Sequence, residues 1–190
     1  MFLFRFKHYL SLGAIVLLVG SALFVPGASQ GDQYNVGTDV LNTADKAMAQ
    51  AVQIRDYALL ALTSLSVQDA LKNIQQVLNL VDGLGATTGI LELTRELLKA
   101  ALDKRWTEVS FTLNNVVSFY DVSGRRNAQT ALEIARRSTL SAPVPSEMKN
   151  EIRELFAFVT AALGAGEDPL TPVTAGGLRT VRDFLKRQKS

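Results

Sequence analysis

The chain contains no cysteine, and its single histidine is His8. Without thiols there can be no disulfide, no thiolate metal ligand and no cysteine nucleophile. His8 precedes an apolar run and sits in a stretch that reads as removable, so the rest of the chain carries no imidazole. Histidine or cysteine zinc sites, haem ligation, Cys-His and Ser-His-Asp catalysis, and Glu-x-x-His di-iron sites all lack their ligands. No Walker loop or Gly-x-Gly-x-x-Gly follows a strand, and no Asp-x-Asp-x-Asp-Gly calcium loop is present. An enzyme would have to run on carboxylates, serine, lysine or tyrosine, and no such constellation stands out. The expectation is a non-enzymatic protein with no catalytic residue, no metal and no cofactor.

Proline is scarce, with five residues, and alternation at period two is absent over any useful length. Hydrophobic residues make up 47 % of the 190 and charged residues 20 %, a balance that excludes global disorder. That length suffices for one domain without disulfide or metal support.

The basic pI of about 9.0 is misleading. Residues 1–29 hold Arg5 and Lys7 and no acid; without them 18 basic residues face 18 acidic ones. Net basicity therefore gives no argument for nucleic acid. The charge is still polarised. Residues 30–121 hold 7 basic and 11 acidic residues, and residues 122–190 hold 11 basic and 7 acidic.

Arg5, Lys7 and His8 precede an apolar run from Leu10 to Val25, then Pro26-Gly27-Ala28-Ser29. A positive start, a short apolar core and small residues after a helix breaker make residues 1–29 a secretory signal peptide. Cleavage after Ser29 puts Gly27 and Ser29 at −3 and −1. The other reading is an uncleaved membrane anchor, although the run is shorter than the roughly 20 residues that span a bilayer comfortably. Either way the body is expected to be exported: periplasmic, lumenal or extracellular. Residues 30–38 read as a flexible lead-in, and 39–190 as a single all-helical domain.

Apolar residues recur every three or four positions through that domain. They predict helices over Asp39–Thr63, Ser66–Asp82, Thr88–Asp103, Trp106–Tyr120, Asn127–Leu140, Ser146–Leu163 and Thr174–Lys189. Thr38 or Asp39, Ser66 with Asp69, and Ser146 are the expected caps. Gly83 is expected to end the second helix and Gly124 to break the chain. Asp103-Lys104-Arg105 reads as a turn, although Leu98, Leu102, Trp106, Val109 and Leu113 keep helical spacing through it. The fold class is an all-α bundle of about six to seven helices, with the helical hairpin as candidate building unit.

Within the second helix, Asn73-Ile74-Gln75-Gln76-Val77-Leu78-Asn79-Leu80-Val81-Asp82-Gly83 resembles a segment of some exported bacterial helical proteins. Their pattern runs His-x-x-His-Val-x-Asn, then apolar residues, an acid and glycine. Val77, Asn79, Asp82 and Gly83 match, while Asn73 and Gln76 stand where that pattern has histidines. The resemblance implies an exported helical protein and lends no metal binding.

Three groups of residues are candidates for function. Trp106, Phe111, Phe119 and Tyr120 could line an apolar pocket, against the plainer reading of core packing. Glu92, Glu96 and Asp103 share a helix side and could hold a cation, against the plainer reading of a solvated face that Arg95 and Lys99 already neutralise. Arg179, Arg182, Lys186, Arg187 and Lys189 form a basic stripe on the last helix. It is suited to a protein partner or an anionic membrane surface, or else simply complements the helix C-terminus. The functional expectation is a protein-binding bundle, an accessory subunit of an envelope or membrane complex. The alternative is a carrier or sensor of an apolar small molecule held between helices.

Overall fold

Alanine determines where the first helix sits. The computed structural model describes residues 37–84, 88–164 and 176–189. In it α1 runs Thr38–Thr63 and buries Ala44, Ala47, Ala51, Ala58 and Ala61 beside Met48 and Ile54. Small side chains let neighbouring helices approach closely. α1 accordingly packs against four others: α2 (Val67–Asp82), α3 (Ile90–Asp103), α6 (Ser146–Leu163) and α7 (Leu178–Lys189). α4 (Thr107–Ser118), a π-helical turn (Phe119–Gly124) and α5 (Arg125–Arg136) complete an all-α bundle. One isolated β-bridge, Ser66 to Pro143, is its only extended pairing among the described residues. α7 starts at Leu178 and not at the expected Thr174, because Gly176, at φ 114°, and Gly177 just before it are not helical. The expected signal peptide or anchor and the lead-in as far as residue 36 lie outside the described residues. Among them, no helix is long and apolar enough to cross a membrane.

The helix ends show which local signals act. The Ser66 hydroxyl oxygen accepts the Asp69 N–H at 3.2 Å and donates to Asp69 Oδ2 at 2.7 Å, a side-chain N-cap in which aspartate braces the hydroxyl and not the Ser66 backbone N–H of the expected capping box. Gly83, at φ 76°, supplies the left-handed residue after α2. The other expected caps do not form. Gly37 holds the N-cap position of α1, Pro145 that of α6, and neither Asp39 nor Ser146 caps with its side chain.

α3 and α4 are separate helices. The Trp106 N–H reaches back to the Ala101 carbonyl at 2.9 Å and the Arg105 N–H to that of Leu102 at 3.0 Å. This is a Schellman closure. Its left-handed position, normally glycine, is held by Arg105 at φ 58°. The turn leaves Leu102, expected inside, 59 % exposed.

Gly124 does not break the chain. Backbone at Ser118, Phe119, Gly124 and Arg125 stays right-handed helical, and the Arg125 N–H donates to the Tyr120 carbonyl five residues back. α4, the π turn and α5 thus run as one helical rod from Thr107 to Arg136. Gly124 is buried in it, and an added Cβ would lie 3.7 Å from Leu155 Cδ1 of α6 and 2.9 Å from the Phe119 carbonyl oxygen. Glycine there spares the π turn a clash with its own Phe119 carbonyl, while the distance to Leu155 is ordinary van der Waals contact. α5 also stops at Arg136, short of the expected Leu140. The reason is tertiary: the Leu140 and Ala142 carbonyls accept the N–H groups of Gln68 and Val67 at 2.9 and 3.0 Å. Those bonds satisfy the free amides at the start of α2.

Candidate functional site: an ion-paired groove and an uncharged tip

The segment singled out by its resemblance includes Asp82, just before its final Gly83, and Asp82 is an anchor point. Asp82 Oδ1 pairs with Arg125 Nη2. The other arm of the same guanidinium, Nη1, donates to Asp121 Oδ1 at 2.6 Å. Asp121 Oδ2 in turn accepts from Arg95 Nη2 at 2.7 Å. Four charges so tie α2, the π turn, α3 and α5 together. Beside them lies a groove of about 500 Å³ lined by Asp82, Glu92, Arg95, Glu96, Lys99 and Arg125. Glu92 and Glu96 do share this surface, with Arg95 and Lys99 between them, and Asp103 is not part of it. Three of its side chains, Asp82, Arg95 and Arg125, are committed to each other or to Asp121, so the groove acts as a structural clamp. No cluster of three or more metal-ligating side chains exists among the described residues.

The aromatic candidates do not converge. Trp106 meets Phe184 of α7 edge to face, with centroids 5.3 Å apart. Phe119 leans on Phe158 of α6 at 6.0 Å. Tyr120 is wholly buried in the core, and Phe111 points to solvent, 69 % exposed. Phe111 is thus set apart from the buried Tyr120. Tyr120 carries an oddity of its own, since its hydroxyl is buried without a hydrogen-bond partner. Burial pushes its phenol pKa well above the ordinary 10.0.

The basic stripe on α7 is partly spent on the fold. Arg182 Nε donates to Asp45 Oδ1 of α1 at 2.9 Å. Arg179 is half-buried, and Lys186, Arg187 and Lys189 are exposed at the C-terminal end.

Sequence reasoning missed a further surface. Residues 57–68, closing α1 and opening α2, carry no charge, and neither do residues 138–146 between α5 and α6. The backbone bonds from Val67 and Gln68 hold these two stretches side by side at one end of the bundle. That tip exposes Leu59, Leu60, Leu65 and Leu140, with Leu65 at 87 %. It lies one α1 length, about 39 Å, from Gly37. The absence of charge in 57–68 was legible in the sequence; its meeting with 138–146 was not.

No protein-family model, no curated protein and no solved structure matches the chain.

Proposed function

We propose that this chain is an exported, non-enzymatic helical bundle that works by binding a protein partner, as an accessory subunit of an envelope or membrane complex. One observation carries the reading: the uncharged tip with its exposed Leu59, Leu60, Leu65 and Leu140. Surfaces that meet another protein are depleted of charge at their centre, and clustered apolar exposure is otherwise a liability. Two backbone bonds pin the tip's two segments to each other, so it is presented as a preformed surface. The apolar run at Leu10–Val25 supports export.

The test is a mild-detergent pull-down of the full chain from its native envelope, with mass spectrometry of what accompanies it. Leu60→Asp combined with Leu65→Asp should abolish a stoichiometric partner while the helical circular dichroism is kept. A partner retained undiminished by the double variant, or no stoichiometric partner at all, overturns the reading.

A further inference from the structure

The outer face of the rod formed by α4, the π turn and the start of α5 has an unusual composition. From Val109 to Tyr120 the chain carries no charge at all. The exposed positions along this face, spaced three or four residues apart, are Glu108, Phe111, Asn115, Ser118, Val122 and Arg126. Phe111 is 69 % and Val122 62 % exposed. An acid therefore stands at one end, a base at the other, two large apolar groups lie inside them, and two neutral polar groups occupy the centre.

That order is self-complementary when read backwards. We propose that a second copy of this chain docks on this face, with the two α4 helices antiparallel about a two-fold axis between Asn115 and Ser118. The axis sets Phe111 of each copy against Val122 of the other, Asn115 against Ser118, and Glu108 against Arg126. Such a contact is isologous, using one patch twice. Parallel pairing would set Glu108 on Glu108 and Arg126 on Arg126, so the end charges select the antiparallel arrangement. Glu151 and Glu154 line the same groove as Arg126. They lower the net attraction there, so the Phe111–Val122 contacts hold the pair while the end charges set its direction. Phe111 and Val122 are eleven residues apart, about 16 Å along the axis. One helix face covers less than the roughly 800 Å² per partner of a standard interface, so the association is weak and concentration-dependent. This surface is separate from the leucine tip, and the inference does not depend on the partner proposed there.

The experiment uses the full chain in mild detergent, near about 0.1 mM, where weak association is populated. Sedimentation should show a reversible dimer. Phe111→Glu should weaken it by more than about tenfold, and Glu108→Arg or Arg126→Glu alone by on the order of tenfold. Mixing the two single reversals should restore a heterodimer, because each then offers the charge that the other lacks. The chain has no cysteine, so Asn115→Cys mixed with Ser118→Cys gives a clean second readout: oxidation should cross-link the two variants to each other. A monomer at every concentration overturns the proposal. So does a dimer indifferent to Phe111→Glu, or one whose single reversals are not rescued by mixing. In each case the α4 face would be left to another protein or to lipid.

Discussion

The indole of Trp106 and the ring of Phe184 meet edge to face, 5.3 Å between centroids and 69° between planes. Trp106 belongs to the turn between α3 and α4, and Phe184 to α7. The contact therefore fastens the last helix to the middle of the chain. Truncating Phe184→Ala removes it together with some half-buried area. The expected loss is about 2 kcal/mol, below the range for a fully buried phenylalanine. Denaturant titration measures the loss, and Trp106 emission should shift to the red as water reaches the indole.

Arg182 and Asp45 provide a second tie for α7, at 2.9 Å and across the whole domain. Both groups are partly exposed, so the pair contributes no more than about 1 kcal/mol, and salt screens it. Arg182→Asp should therefore lower stability slightly, and the exchange Arg182→Asp with Asp45→Arg should recover most of the loss. A double-mutant cycle in low and high salt checks both statements.

Tyr120→Phe removes a buried hydroxyl that has no partner in the fold. Since no hydrogen bond is lost, stability near neutral pH should hold or rise. Alkaline behaviour should change as well. The folded phenol keeps its proton above the ordinary 10.0, while an unfolded tyrosine gives its proton up there. The native state then binds more protons than the unfolded state, and stability falls as pH rises past about 10. Tyr120→Phe should flatten that fall. Melting temperatures from pH 7 to 11 for both proteins decide it.

Arg105 holds a left-handed backbone at φ 58°. Such a conformation costs a side-chain-bearing residue roughly 1–2 kcal/mol, part of which glycine returns as unfolded-state entropy. Arg105→Gly should therefore raise stability by about 0.5–1 kcal/mol. Thermal melts read the gain directly.

These residues also show where a sequence can be read and where it cannot. The periodicity of α2, the Ser66–Asp69 cap and Gly83 are local signals, and the structure follows all three. The break at Asp103–Arg105 was legible as a turn, but its left-handed arginine was not, because composition points to glycine there. Gly124 misleads for a physical reason. A glycine permits a break without imposing one, and here it stays helical inside a π turn whose Phe119 carbonyl leaves little room for a Cβ. Phe111 could have been separated from the core set, since it falls out of phase with Val109, Leu113 and Val116. The ion cluster could not have been read: Asp82 and Arg125 are 43 residues apart, and only tertiary packing joins them. The end of α5 depended in the same way on backbone bonds to α2.

α1 is both the first helix described and one that packs against four others. A ribosome releases such a chain N-terminus first. α1 and α2 can therefore pair early as neighbours, while the side of α1 that meets α6 and α7 stays uncovered until those helices emerge. The Arg182–Asp45 pair closes across 137 positions, so it cannot form before α7 has emerged. Truncation from the C-terminus should accordingly leave a chain with most of its helices and an open seam along α1, a natural surface for a chaperone to hold.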